Sequence, residues 1–166
     1  MAQLKLKGNP INTNANLPLP GIAAPDFCLT GANLQDQKLA DFAGKKIVLN
    51  IFPSIDTPVC AASVRRFNSE AAKLENAVVL CISRDLPFAL GRFCGAEGLE
   101  NVITLSEMRD RQFGESYGLS IIDGPLAGLL ARAVIVIDEK GIIKHVELVA
   151  DIVMEPDYIA ALEVIE

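Results

Sequence analysis

The sequence has few of the side chains that bind metal ions. Among its 166 residues there is a single histidine, His145, and none of the four cysteines forms a Cys-x-x-Cys pair. Because a zinc site needs clustered thiolates and imidazoles at short spacings, we expect no metal site. A Cys-His-Asp hydrolase would have to use His145, which lies in an alternating segment where a solvated strand face is the expected position.

Positive charge and long apolar runs are also scarce. Fifteen basic and twenty-one acidic residues give a formal net charge of −6, which argues against nucleic acid or an anionic membrane as a partner. No apolar run reaches the roughly 18–20 residues of a membrane-spanning helix, and residues 1–10 lack the apolar core of a signal peptide. We therefore expect a cytoplasmic protein, in which cysteine is catalytic, redox-active or inert rather than disulfide-bonded.

Aliphatic residues, by contrast, are abundant. Hydrophobic residues make up 51% of the chain and charged residues 22%, which is the composition of a globular protein with a proper core. The length fits a single domain over residues 1–166.

The clearest local pattern is a strand, a helix and a second strand. Residues 47–52 and 77–83 are nearly continuous apolar runs, typical of strands buried on both faces. Between them Thr57 is a good N-cap, Pro58 suits the first helical position, and apolar residues then recur on one helix face as far as Leu74. This pattern predicts a βαβ unit with a right-handed crossover.

The other expected elements give an α/β chain, with a mixed central sheet flanked by helices. Asp85 is the expected cap of a second helix, Gly95 its stop, and Gly118 the stop of a third. The elements predicted outside the βαβ unit are a hairpin of 3–7 and 11–15 turning at Gly8-Asn9-Pro10, strands 26–30, 101–105, 133–137 and 142–149, and helices 85–94, 107–117 and 157–165.

Cys60 is the cysteine whose position suggests chemistry. With Thr57 as the cap it falls in the first helical turn, where unpaired N–H groups and the helix dipole favour an anion. A small apolar residue on the buried helix face is an equally good interpretation from local sequence. A fast thiol enzyme also needs fixed donors and positive charge. Arg132, which opens strand 133–137, could supply them, although an ordinary surface arginine is the simpler interpretation.

The remaining cysteines give weaker signals. Cys94 lies near a predicted helix end before Gly95 and Gly98, in a region that could move as a resolving thiol must. Cys81 is in the middle of a buried strand and is expected in the core, and Cys28 is expected to be structural. Four cysteines allow three complete pairings, and the sequence alone does not choose among them.

The segment around Cys60 resembles the active-site loop of peroxiredoxins. Residues 53–60, PSIDTPVC, follow the pattern of Pro, three residues, Thr or Ser, two residues and the peroxidatic Cys. Four longer segments of the chain resemble the bacterial thiol peroxidase branch, the atypical two-cysteine peroxiredoxins. These segments are NIFPSIDTPVCAASVRRFN, RFCGAEGLENVITLS, DGPLAGLLARAVIVID and EPDYIAALEVI.

The resemblance implies a role for each matching residue. Cys60 matches the peroxidatic cysteine, and Cys94 matches the resolving cysteine of this branch. Thr57 matches the hydroxyl that bonds the thiolate and the peroxide, and Arg132 matches the arginine that stabilises the thiolate and polarises the peroxide. Pro53 matches the residue that shields the site from water. Other two-cysteine relatives carry a resolving cysteine near the C-terminus, and this chain has no cysteine after Cys94.

The resemblance also implies a fold, a reaction and partners. It implies a thioredoxin-like fold with an N-terminal β-hairpin, a homodimer, and reduction of hydrogen peroxide and organic hydroperoxides with thioredoxin as reductant. It implies no metal, flavin or haem.

Three alternatives stay open, namely a protein-disulfide oxidoreductase on the same fold, a non-enzymatic redox sensor, and a structural domain with inert thiols. Leu126, Leu129 and Leu130 could line an alkyl pocket or pack in the core.

Overall fold

Most of the predicted strands and helices are present in the structure. It is a computed structural model that describes residues 1–165; Glu166, the last residue of the expected domain, lies outside the described residues. The strands are β1 Gln3–Leu6, β2 Asn9–Asn12, β3 Cys28–Gly31, β4 Asp36–Lys38, β5 Lys46–Ile51, β6 Ala77–Ser83, β7 Ile103–Ser106, β8 Ala133–Ile137 and β9 Ile143–Leu148. The helices are α1 Pro58–Ala71, α2 Pro87–Glu97, α3 Gln112–Ser116 and α4 Tyr158–Glu163.

Seven strands form one mixed sheet in the order β4-β3-β7-β6-β5-β8-β9. The pairs β5–β6 and β6–β7 are parallel, whereas β8 runs antiparallel to both β5 and β9. The unit β5-α1-β6 is the predicted βαβ unit, and β8 and β9, the predicted strands 133–137 and 142–149, pair as an antiparallel hairpin. The α/β class with a mixed sheet is therefore confirmed.

Two apolar cores lie on opposite faces of this sheet, and β5 contributes to both. Leu49 of β5 packs with the N-terminal hairpin and α3, whereas Val48 packs with α1, α2 and α4. Because both faces of the central strands are covered, almost every residue in them is apolar, which explains the continuous runs in the sequence. Among the described residues, no helix combines the length and apolarity needed to cross a membrane.

The N-terminal hairpin is confirmed, but its turn lies one position earlier than predicted. Leu6 pairs with Asn9, so the turn consists of Lys7 and Gly8, with φ values of 50° and 85°. A two-residue turn with two positive φ values matches the right-handed twist of the flanking strands. Asn9 and Pro10 therefore belong to β2 and not to the turn.

The boundaries of α2 differ from the prediction for a tertiary reason. Leu86 is the N-cap, Pro87 is the first helical residue, and the helix continues through Gly95 to a left-handed Gly98 with φ 67°. Asp85 does not cap the helix, because its carboxylate binds a loop from elsewhere in the chain. The prediction of an Asp85 cap and a Gly95 stop is wrong.

The predicted start of the third helix at Glu107 is also wrong, because Glu107 is a buried residue that lies before α3. Its side chain is 0% exposed and receives a hydrogen bond from Arg84 Nε over 2.6 Å. The helix begins only at Gln112, and Gly118 follows it with φ 68°. The sequence also gives no signal for β4 or for a short 3-10 helix over Leu39–Phe42.

The buried ion pair predicts a large loss of stability in Glu107→Ala. The change leaves the Arg84 guanidinium, which also binds the Gly128 carbonyl, without its counter-charge, and we expect a loss of about 3–5 kcal/mol. Asp36→Ala breaks an exposed pair with Arg109 and is expected to cost less than about 1 kcal/mol. Urea unfolding followed by circular dichroism measures both values, and equal losses would contradict the assignment.

Candidate active site

The loop that connects β5 to α1 places Cys60 in the first turn of α1. Thr57 has the extended backbone of an N-cap, with φ −99° and ψ 146°, and Pro58 follows it at the start of the helix. The Thr57 side chain makes no capping bond; its hydroxyl donates to the Ser54 carbonyl over 3.1 Å. Cys60 is completely buried, below the apolar side chains of the loop.

Arg132 reaches Cys60 from a neighbouring strand. Because Ile51 pairs with Ala133 in antiparallel register, Arg132 lies at the sheet edge where the chain leaves β5. Its Nη2 donates to the Cys60 sulfur over 3.2 Å, and its Nε donates to the Ile152 carbonyl over 2.8 Å. Arg132 is only 2% exposed, so the interpretation as a surface arginine is wrong.

One donor of this guanidinium is unused. Arg132 Nη1 is buried and has no hydrogen-bond partner among the described residues. Burying a polar group without a partner is costly, so an unused donor beside a sulfur indicates a position for a polar ligand atom. The guanidinium also places its positive charge against the Cys60 sulfur, since the two groups are in contact away from water.

A cavity of about 210 Å³ lies in front of Arg132. Ser54 and Thr57 are the other polar residues of its lining. The remaining wall is apolar and consists of Leu6, Pro53, Pro58, Val59, Leu126, Leu129, Ile152 and Val153. Leu126 and Leu129 therefore line a pocket as one interpretation of the sequence held, whereas Leu130 is a fully buried core residue.

The structure does not bring Cys94 to Cys60. Cys94 lies inside α2, is half-buried, and lines a different cavity of about 390 Å³ with Gly91 and Thr104. All four cysteines are free thiols. Burial raises the pKa of the Cys94 thiol above its ordinary value, so Cys94 is a poor nucleophile while α2 is folded.

Cys81, Cys28 and His145 lie outside the site. Cys81 is fully buried, as expected for a core residue, and burial raises its pKa to about 12 despite a hydrogen bond from Asn50. Cys28 is exposed at the start of β3. His145 is half-buried, and its Nε2 has no hydrogen-bond partner among residues 1–165, so the expected solvated face is only partly exposed. Over residues 1–165, no three metal-binding side chains cluster.

Asp85 is the site residue that sequence reasoning missed. Its Oδ1 accepts from Ser54 Oγ over 2.8 Å, and its Oδ2 accepts from the Ile55 N–H over 2.8 Å and from Ser83 Oγ over 2.5 Å. One signal was available, because Asp85 follows β6 just as the active-site loop follows β5. The carboxyl ends of two parallel neighbours meet at one edge of a sheet.

Comparison with known proteins shows the family of this chain. The family model described as Redoxin matches residues 19–162. Thiol peroxidases of Mycobacterium tuberculosis (strain H37Rv) and Mycobacterium bovis are 57% identical over 162 residues, which cover 98% of this chain and 97% of theirs.

Solved structures show the same fold. The crystal structure of a peroxiredoxin-like protein from Aquifex aeolicus superimposes with a TM-score of 0.94 at 36% identity, covering 99% of this chain and 96% of that chain. A thiol peroxidase from Chromobacterium violaceum has a TM-score of 0.90 at 22% identity, covers 99% and 95%, and shares the fold. The expected thioredoxin-like fold is confirmed. The chain belongs to the redoxin family and, within that family of thiol-dependent oxidoreductases, to the thiol peroxidases.

The buried position of Cys94 predicts how its alkylation depends on pH. Since its pKa is raised, the fraction of thiolate in the folded protein should still increase roughly tenfold per pH unit at pH values where a free thiol levels off. In urea the same thiol should titrate near an ordinary pKa of about 8.5. Iodoacetamide labelling followed by peptide mass spectrometry measures both curves. A folded-state curve that lies at or below the urea curve would contradict the prediction.

Proposed function

We propose that this chain reduces hydroperoxides in a cycle in which Cys60 is the peroxidatic and Cys94 the resolving cysteine. The observation that carries the proposal is the contact of 3.2 Å between the Cys60 sulfur and the buried Arg132, whose Nη1 remains unused. The cavity in front of Arg132 provides the space for the substrate.

In the first step the Cys60 thiolate attacks one oxygen of the peroxide. A sulfur–oxygen bond forms, the O–O bond breaks, and Cys60 becomes a sulfenic acid. The other oxygen leaves with the electron pair of that bond and takes up a proton, which gives water or an alcohol. Arg132 Nη1 and the Thr57 hydroxyl stabilise the charge that develops on the oxygens, and Pro53 limits the access of water.

In the second step the Cys94 thiolate attacks the sulfenic sulfur of Cys60. The sulfenic oxygen leaves as water, and an intramolecular disulfide forms. Because the two Cα atoms of a disulfide lie roughly 4.4–6.8 Å apart, and Cys94 lines a separate cavity, α2 and the first turn of α1 must unwind. The step therefore requires local unfolding of both segments.

The return to the reduced enzyme is proposed on the resemblance. Thioredoxin reduces the disulfide by thiol–disulfide exchange, and the protein works as a homodimer of single domains in the reducing cytoplasm. The apolar cavity wall favours an organic hydroperoxide, because its alkyl group can pack against Leu126 and Leu129.

One experiment tests the cycle. Fully reduced protein is treated with one equivalent of cumene hydroperoxide, free thiols are counted, and disulfides are mapped by mass spectrometry. We expect the rapid loss of two thiols and a Cys60–Cys94 link within one chain. Cys60→Ser should keep its thiols, whereas Cys94→Ser should stop at the sulfenic acid. Retention of all four thiols by the wild type would refute the proposal, and oxidation without turnover by thioredoxin and its reductase would indicate a sensor.

Arg132→Lys should slow the first step strongly. Lysine keeps the positive charge, but it lacks the planar set of donors with which the guanidinium reaches the Ile152 carbonyl, the Cys60 sulfur and the substrate at the same time. We expect the rate constant for oxidation of Cys60 to fall by about 100-fold or more. Arg109→Lys, on the surface, is the matched control. Competition with horseradish peroxidase for hydrogen peroxide measures the rate constants, and similar values for the two variants would exclude Arg132 from this role.

A further inference from the structure

We propose that Asp85 is a positioning residue that fixes the loop between β5 and α1 and thereby holds Thr57 and Cys60 in the geometry of the first step. This inference rests on the proposed function and assigns to it a residue beyond those that the sequence indicated. Asp85 itself does not line the cavity; it acts through Ser54 and Ile55.

The Asp85 carboxylate is held by directional bonds. It accepts three hydrogen bonds from neutral donors, the hydroxyls of Ser54 and Ser83 and the backbone N–H of Ile55. Ser83 is 0% and Ile55 1% exposed, whereas Asp85 and Ser54 are half-buried, so these bonds are partly shielded from water. A carboxylate shared by the end of β6 and the loop after β5 fixes the distance between these two segments.

Ser54 transmits this constraint to Thr57. The Ser54 carbonyl accepts hydrogen bonds from the Thr57 N–H over 3.2 Å and from the Thr57 hydroxyl over 3.1 Å. The Thr57 carbonyl in turn accepts from the Ala61 N–H over 3.0 Å, which is the first backbone bond of α1. A path of hydrogen bonds therefore connects Asp85 through Ser54 to Thr57, which lines the cavity, and to the helical turn that carries Cys60.

The same residue lies next to the segment that must open in the second step. Asp85 directly precedes Leu86, the N-cap of α2, and its carbonyl accepts from Ser106 Oγ over 2.5 Å. When the first turn of α1 unwinds, the bonds from Ser54 and Ile55 to Asp85 are among those that break. Asp85 therefore favours the reaction with peroxide and opposes formation of the disulfide.

Changing the Asp85 carboxylate should affect the two steps differently, slowing the oxidation of Cys60 but not the formation of the disulfide. In Asp85→Asn the amide can accept at one position only and turns a donor toward the N–H or hydroxyl at the other. We expect the rate constant for oxidation of Cys60 by peroxide to fall about tenfold, because the loop is less precisely held. The rate of disulfide formation should be unchanged or higher. A residue that only stabilises the fold would not separate the two steps in this way.

The experiment measures both steps in four proteins. Wild type, Asp85→Asn, Ser54→Ala and the double variant are oxidised, quenched at intervals with acid, and scored by mass spectrometry for Cys60 oxidation and for the disulfide. Ser54→Ala should slow oxidation less than Asp85→Asn, and the two effects should be less than additive, because both act on one path. Ser54→Thr, which keeps the hydroxyl, should restore most of the wild-type rate.

Asp138→Asn is the matched control. Asp138 also accepts two backbone N–H bonds, from Lys140 and Ile142, each over 2.9 Å, but it lies at the end of β8 away from Arg132. We expect this variant to keep the wild-type rate of oxidation within about twofold. Circular dichroism at the assay temperature verifies that each variant is folded.

Three outcomes would overturn the inference. They are an Asp85→Asn rate within about twofold of wild type, equal slowing of both steps, and fully additive effects of Asp85→Asn and Ser54→Ala. If Asp85→Asn does not fold, the comparison of Ser54→Ala with Ser54→Thr carries the test. Failure of wild-type Cys60 to react would refute the proposed function instead.

Discussion

A charged guanidinium held away from water is the constraint on which the site depends. Arg132 is 2% exposed and the structure satisfies its donors with the Ile152 carbonyl and the Cys60 sulfur, leaving Nη1 unused. Removing such a charge from water costs roughly several kcal/mol of folding free energy unless hydrogen-bond or charged partners compensate for it. The positive charge of Arg132 therefore lies directly against the Cys60 sulfur. The antiparallel register of β8 on β5 and the start of α1 bring the two groups into this contact.

The residues of the candidate site lie at one end of the sheet, where β5 and β6 end and β8 begins. β5 and β6 are parallel neighbours, so the loops that follow them leave the sheet side by side, and antiparallel β8 begins at the same edge. The site is assembled from the loop 53–57, Asp85 and Arg132, each at the end of a buried strand. Part of the apolar wall, including Leu126 and Leu129, comes from farther along the chain. The Gly128 carbonyl next to Leu129 accepts from Arg84, whose buried partner is Glu107.

Features set by residues close together in the chain could be predicted from the sequence, whereas contacts between residues far apart in the chain could not. The βαβ unit and the place of Cys60 in a first helical turn could be predicted, because the strand runs, the Thr57 cap and Pro58 are local signals. Arg132 lies 72 residues from Cys60, so its role came only from a resemblance. Asp85 was assigned to the wrong partner, because an aspartate before a helix resembles a cap, whereas two of its three actual donors lie 30 and 31 residues earlier.

The two steps of the proposed cycle place opposite demands on one short segment. The first step needs the loop before α1 rigid, and the second needs it open, since Cys94 faces another cavity. Surface contacts between this region and α2, such as the exposed pair of Asp56 and Arg92, contribute little resistance because water screens them. The partly buried bonds to Asp85 and the buried bond from Arg132 to Cys60 resist opening more strongly. In the proposed cycle, opening is therefore confined to α2 and the first turn of α1 while the strands of the sheet stay paired, so the enzyme can change shape without losing its fold.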